Sequence, residues 1–191
     1  MVNYYDFVLG YYMAKITLFG LAGTGTSSMG KILAKRLGYT FMSTGNIFRA
    51  KAESLGLSLH QFEELCNENP EHDRALDQEV KNFGENNNNF VIESRLAWYF
   101  IPDSTKIKLH CDFPERIGRV AKRDAVTIEE AEKLTTARES FGAQRYKEFY
   151  NISDFAPDSA FDISIDTTTT PIEKVAERIL NYLEKGVGRS I

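Results

Sequence analysis

The glycine-rich segment at residues 20–28 places the tightest constraint on how this chain can fold. It follows an apolar run at residues 16–19 and precedes a helical pattern that reaches Leu37. Strand, glycine-rich turn and helix in this order are the setting of a phosphate-binding loop. The glycines allow a tight turn in which several N–H groups point at one phosphate chain, and the helix adds its free N–H groups and positive dipole end. The segment therefore predicts phosphate binding directly after the first strand.

One position in this segment departs from the common pattern G-x-x-x-x-G-K-[ST]. Gly20 and Gly25 have the expected spacing, and Ser27 keeps the hydroxyl that usually meets Mg²⁺, but Thr26 stands where lysine is expected. A site for a nucleoside triphosphate would therefore need cations from other parts of the chain. The alternative interpretation is a tight turn that binds no ligand.

Strand and helix patterns alternate along the remaining chain. Further strands are predicted at residues 39–42, 90–92, 106–111 and 161–165, and helices at residues 45–55, 58–66, 69–83, 114–125, 127–150 and 170–183. This alternation predicts an α/β fold with a parallel sheet covered by helices on both faces. Ligands bind at the carboxyl ends of the strands in such sheets. We therefore expect the segments that follow the strands to meet at one edge.

Composition narrows the classes of function. The chain has 191 residues, which suits one domain, and its net charge of −4 disfavours broad nucleic-acid binding. The sequence has no apolar run of membrane-spanning length, so we expect no membrane partner. Cys66 and Cys111 have no metal-binding spacing and are expected to be reduced thiols of a cytoplasmic protein. Residues 1–12 are expected to be an extension before the first strand.

Arginines could replace the missing lysine. Two pairs lie at helical spacing and two single residues follow strands: Arg119 and Arg123, Arg138 and Arg145, Arg49, and Arg95. A donor triphosphate carries about four negative charges and an acceptor monophosphate about two, so several converging cations are needed. The guanidinium fork binds phosphate oxygens in pairs. The alternative is that each arginine is a solvated side chain paired with a glutamate.

Residues 13–182 resemble the archaeal-type cytidylate kinases, a branch of the P-loop nucleoside monophosphate kinases. The matching segments are residues 20–28, 43–49, 71–77, 91–97, 114–123 and 138–151. Members of this branch also carry threonine in the lysine position, so Thr26 does not indicate an inactive site. The resemblance implies a three-layer α/β/α fold with five parallel strands. It further implies one domain over residues 1–191, with a monophosphate-binding region at 44–83 and a lid at 119–145.

The resemblance also implies roles for individual residues. Donor ATP would be held by Gly20, Gly23, Thr24, Gly25, Thr26, Ser27, Ser28 and Arg119. The acceptor would be held by Ser43, Arg49, Asp73, Arg74 and Arg95. Arg123 would lie on the donor phosphates, and Arg138 and Arg145 would bridge donor and acceptor. Mg²⁺ would be bound directly by Ser27 and through a water by Glu93.

Four positions near the predicted acceptor nucleoside depart from the family pattern: Gln78, Glu79, Ser94 and Gly142. They leave the acceptor base open. We predict a monomeric enzyme that phosphorylates CMP or dCMP with ATP and Mg²⁺. The alternatives are an adenylate-type or small-metabolite kinase on the same scaffold, and a nucleotide-binding protein without turnover.

Overall fold

The sheet of this protein is parallel throughout, as the alternating pattern predicted. A computed structural model describes residues 14–69 and 71–187, and within these ranges five strands pair in the order β2-β3-β1-β4-β5. The strands are β1 Lys15–Phe19, β2 Thr40–Ser43, β3 Phe90–Glu93, β4 Thr105–His110 and β5 Ile163–Asp166. The register sets Leu18 of β1 and Ser43 of β2 beside Glu93 of β3. The carboxyl ends of these three strands therefore meet at one edge.

Helices cover both faces of the sheet. They are α1 Thr26–Leu37, α2 Thr44–Ser54, α3 Leu59–Glu68, α4 Glu71–Asn86, α5 Ala97–Phe100, α6 Phe113–Asp124, α7 Ile128–Tyr150 and α8 Ile172–Val187. Met29 of α1 and Ile179 of α8 pack with Val91 in the core of one face, whereas Val80 of α4 packs with Ile92 on the other. Adjacent strand residues point to opposite faces, so this arrangement gives the predicted three layers. No helix in the described ranges is long and apolar enough to cross a membrane.

Local signals predicted most element ends, and the differences have local causes. The capping box of Ser58 and Gln61 is present at the start of α3. Helix α4 continues to Asn86, three residues beyond the predicted end. The side-chain amides of Asn86 and Asn87 donate to the backbone carbonyl oxygens of Asn82 and Phe83, and these hydrogen bonds stabilise the last turn. The short helix α5 was not predicted. The expected extension at residues 1–12, and residue 70 of the helix predicted at 69–83, lie outside the described residues.

Candidate active site

The glycine-rich loop connects β1 to α1 through two residues with positive φ. Gly23 has a φ of 87° and Gly25 a φ of 89°, values that glycine adopts without strain. Space also requires glycine at position 23, since a Cβ there would lie 2.4 Å from the carbonyl oxygen of Arg116. Gly25 is the N-cap of α1 and supplies no side-chain oxygen to the first-turn N–H groups. Those N–H groups can therefore bind an anion.

The carboxylate of Glu93 joins the loop to the ends of β2 and β3. It accepts hydrogen bonds from Thr26 Oγ1 at 2.9 Å, Ser27 Oγ at 2.7 Å and Ser43 Oγ at 2.5 Å. Thr26 is buried, so the residue that replaces lysine contributes a hydroxyl to this network. Hydroxyl and carboxylate oxygens are the ligands that Mg²⁺ prefers. Among the described residues, no group of three or more His, Cys, Asp or Glu side chains could hold a metal ion by itself.

The loop opens into a cavity of about 710 Å³, a size typical of small-molecule sites. Six arginines line this cavity: Arg49, Arg95, Arg119, Arg123, Arg138 and Arg145. They come from α2, the segment after β3, α6 and α7. Five acidic residues share its wall: Glu63, Asp73, Asp77, Glu93 and Asp124. The structure thus brings together the arginines that the sequence singled out.

The positive charges of neighbouring arginines affect the pKa of Arg49. Burial lowers the pKa of Arg49, and the charges of Arg123 and Arg138 lower it further. Asp124 binds Arg123 through two hydrogen bonds of 2.7 Å each, which raise the pKa of Arg123. Guanidinium groups held this close to one another favour the binding of an anion between them.

Two arginines of α7 are bound by carboxylates of α3 and α4. Arg138 Nε donates to Glu63, and Arg145 Nη1 donates to Asp73 at 2.7 Å. Burial raises the pKa of Asp73, although the charge of Arg145 acts in the opposite direction. One turn along α4, Asp77 accepts a hydrogen bond of 2.6 Å from the hydroxyl of Tyr150. The predicted monophosphate-binding and lid regions are therefore joined through charged side chains.

Arg119 lies between the main cavity and a smaller neighbouring cavity. Its Nη2 donates to the carbonyl oxygens of Thr167 and Thr168, at 2.8 and 3.0 Å. The smaller cavity, about 230 Å³, is lined by Thr24, Gly25, Ser28, Met29, Leu109, Arg119, Thr167, Thr170, Ile172 and Val175. Apolar side chains and hydroxyl groups therefore line this smaller cavity, which lies beside the glycine-rich loop.

Most predicted site residues line the main cavity: Gly20, Gly23, Gly25, Thr26, Ser27, Ser28, Arg49, Asp73, Glu93, Arg95 and Arg119, with the catalytic candidates Arg123, Arg138 and Arg145. Thr24 lines the smaller cavity instead, and Ser43 is buried against Glu93. Arg74 lines neither cavity. Its guanidinium lies 4.7 Å from the ring centroid of Phe149, so its role in acceptor binding stays a prediction.

Several residues that shape the site were given no role from the sequence. Arg116 is buried and donates to the carbonyl oxygen of Ala22 at 2.9 Å and to Glu139 at 2.8 Å, which fixes the loop against α6 and α7. Its position one turn before Arg119 was the available signal. Glu63 and Asp77 gave no comparable signal, because their partners lie more than 70 residues away along the chain.

Comparisons with known proteins agree with this arrangement. A family model described as an AAA domain matches residues 16–138. The cytidylate kinase of Archaeoglobus fulgidus is 35% identical over 171 residues, which cover 89% of this chain and 94% of that protein. The cytidylate kinase of Methanobrevibacter smithii is 32% identical over 169 residues, covering 88% and 98%.

Solved structures agree with the fold. The shikimate kinase of Acinetobacter baumannii, in complex with shikimate, superposes with a TM-score of 0.61 at 18% identity. The alignment covers 91% of this chain and 94% of that one. At this identity the likeness concerns the fold alone.

Proposed function

The chain belongs to the cytidylate kinase family, and we propose that it transfers the γ-phosphoryl group of ATP to CMP or dCMP by in-line displacement. The observation that carries this proposal is the meeting of six arginines with the glycine-rich loop in one cavity. Phosphoryl transfer needs little covalent help from the protein. It needs the attacking and leaving oxygens in line and charge stabilised on the passing group.

The donor would occupy the loop and the smaller cavity. Backbone N–H groups of the loop and of the first turn of α1 would hold the β- and γ-phosphates. The adenine would lie between Arg119 and the apolar side chains of Met29, Ile172 and Val175. The planar guanidinium of Arg119 suits this position, because it is already held by the carbonyl oxygens of Thr167 and Thr168.

Ser27 and Glu93 have the oxygen donors that suit Mg²⁺. We propose that Ser27 binds the ion directly and that Glu93 binds a water of its coordination shell. The ion would neutralise part of the charge on the β- and γ-phosphates. Few protein ligands are needed, because substrate phosphates and water usually complete the octahedral shell of Mg²⁺.

The acceptor would lie between α2, α4 and α7. Arg49 and Arg95 are proposed to bind its phosphate, whose oxygen attacks the γ-phosphorus of ATP while the bond to the β–γ bridging oxygen breaks. Arg123, Arg138 and Arg145 are proposed to stabilise the charge on the group in transit, giving CDP and ADP. Ser94 and Gly142 line the same cavity, so two of the four departures from the family pattern lie where the acceptor nucleoside would contact the protein.

A panel of acceptors tests this proposal. Purified protein with ATP and Mg²⁺ is incubated with CMP, dCMP, UMP, AMP, GMP or shikimate, and products are separated by chromatography. We expect CDP or dCDP as the main product. A main product from AMP or shikimate would favour an adenylate-type or small-metabolite kinase. ATP binding in calorimetry without product from any acceptor would favour a nucleotide-binding protein.

We also propose that the protein acts as a monomer in the cytoplasm. Both cysteines in the described residues, Cys66 and Cys111, are free thiols, which suits a reducing compartment.

A further inference from the structure

The carboxylate of Glu63 binds Arg138, one of the arginines proposed to take part in phosphoryl transfer. Glu63 lies on α3 and lines the main cavity, where it accepts a hydrogen bond from Nε of Arg138 on α7. A guanidinium carries its N–H donors in a fixed fork, and Glu63 binds the donor on Nε. The ion pair therefore fixes the direction in which the remaining N–H groups of Arg138 point, and so determines where this arginine can meet a phosphoryl oxygen.

The neighbouring pair, Asp73 and Arg145, differs in how easily it can open. The side chain of Asp73 is 2% exposed, whereas that of Glu63 is 16% exposed. Asp73 would have to leave a buried position, whereas Glu63 has one more rotatable bond and a path to solvent. The pair of Asp73 and Arg145 is therefore a lasting connection between α4 and α7, and the pair of Glu63 and Arg138 is the exchangeable one.

We propose that Glu63 is a positioning residue that holds Arg138 away from the donor until the acceptor phosphate displaces it. A phosphate carries about −1.5 to −2 charges against −1 for a carboxylate, and it offers more oxygens to the guanidinium fork. Arg49, whose pKa Arg138 lowers, would draw the phosphate to the same place. The acceptor thus releases the arginine that its own phosphorylation needs.

The pairing of Glu63 with Arg138 affects the hydrolysis of ATP by water. Without an acceptor, a water oxygen can attack the γ-phosphorus of ATP, and cleavage of the bond to the bridging oxygen gives ADP, inorganic phosphate and a proton. An arginine at the transition state accelerates phosphoryl transfer by about 10³–10⁵. Holding Arg138 on Glu63 suppresses this hydrolysis. The inference rests on the proposed function in taking ATP as the donor, a phosphate-bearing acceptor, and Arg138 as an arginine that contacts the transferred group.

The test compares Glu63→Gln with Glu64→Gln in the full chain. Glutamine keeps the size of the side chain and removes the charge that holds Arg138. Glu64 is the adjacent residue on α3, is more than half exposed and pairs with His60, so its substitution controls for loss of one acid from this helix. The measurements are ADP release from ATP and Mg²⁺ without acceptor, and the ratio of CDP to ADP with CMP present.

We expect Glu63→Gln to raise acceptor-independent ADP release about 5–30-fold, as for loss of a partly exposed charged hydrogen bond, and to lower the CDP-to-ADP ratio. Glu64→Gln should match the wild type. Unchanged ADP release in Glu63→Gln, or an equal rise in Glu64→Gln, would overturn the inference. If Glu63→Gln does not fold, Glu63→Asp shortens the carboxylate by one methylene and should give the same rise. Absence of CDP with the wild type would instead refute the proposed function, while the comparison of ADP release would still test Glu63.

Discussion

At the residue scale, Thr26 shows how the site differs from a loop that carries its own cation. Its hydroxyl donates to Glu93 at 2.9 Å, in the same network as Ser27. A lysine would bring a charge to the phosphates, whereas threonine brings a hydrogen bond that orders a carboxylate. Positive charge in the cavity therefore comes from arginines on other elements, namely α2, α6, α7 and the segment after β3.

Substitution of Arg138 tests most directly whether an arginine from another element does the work of the missing lysine. We expect Arg138→Ala to lower the rate of CDP formation at saturating substrates by about 10³-fold or more, because this arginine is proposed to stabilise the transition state. ATP affinity should change less than about threefold, because the loop and α1 are proposed to bind the donor phosphates through backbone N–H groups. Steady-state kinetics and calorimetry with ATP and Mg²⁺ measure the two quantities.

The exposed Arg36 on α1 serves as the matched control, and Arg36→Ala should leave both quantities unchanged. Arg138 is a cleaner target than Arg145, whose removal would leave the buried carboxylate of Asp73 without its partner. Equal losses of turnover and of ATP affinity in Arg138→Ala would reject a bridging role for this arginine.

At the element scale, α4 and α7 are joined by a half-buried carboxylate, Asp77, whose proton affinity is unusual. Burial raises the pKa of Asp77 to about 6, although the hydrogen bond from Tyr150 lowers it. The folded protein therefore holds a proton on Asp77 more tightly than the unfolded chain does, so folding is favoured as the pH falls from 6 towards 4. Above pH 6 the ionised side chain carries the full cost of burial.

Asp77→Asn should remove this cost. We expect the variant to exceed the wild type in unfolding free energy by about 1–3 kcal/mol at pH 7.5, with the difference shrinking towards pH 4.5. Urea denaturation of both proteins at the two pH values measures it. Glu85→Gln, at an exposed position of the same helix, should show no such dependence. A stability difference that does not vary with pH would contradict the assignment to Asp77.

The helices and strands also show which features of the structure can be predicted from the sequence. The five strands, the glycine-rich loop and the capping box of Ser58 and Gln61 were predicted, because each depends on residues close together in the chain. The helix at residues 97–100 was missed, since a single turn is too short to show helical periodicity. The ion pair of Glu63 with Arg138 joins positions 75 residues apart, so a single sequence gave no sign of it.

At the scale of the whole molecule, charge is distributed unevenly. The chain carries a net charge of −4, yet its main cavity has six arginines, nearly balanced by five acids on the same wall. Donor and acceptor phosphates together bring about six negative charges. The arginines can neutralise these phosphate charges only if some of the acidic side chains turn away from the cavity or are themselves neutralised by a metal ion. On the proposed roles, a ligand that draws arginines of α6 and α7 away from these acids lowers the cost of binding the other ligand.

This coupling predicts that two ligands stabilise the protein by more than the sum of their separate effects. The pair is CMP with β,γ-methylene ATP, which cannot transfer its γ-phosphoryl group. Each ligand at 100 times its Kd should add about 2.7 kcal/mol to the unfolding free energy. A coupling of about 1 kcal/mol would add about 2–4 °C to the sum of the two Tm shifts.

Differential scanning calorimetry with each ligand and with both measures this excess. The excess should fall in Arg138→Ala, because that side chain is proposed to contact both ligands, and should persist in the exposed control Arg36→Ala. It should also diminish at high ionic strength, since screening weakens the shared electrostatic contribution. Strictly additive Tm shifts in the wild type would mean that donor and acceptor draw on separate sets of arginines. In that case the single cavity would join two independent anion sites, and the bridging role of α7 would be lost.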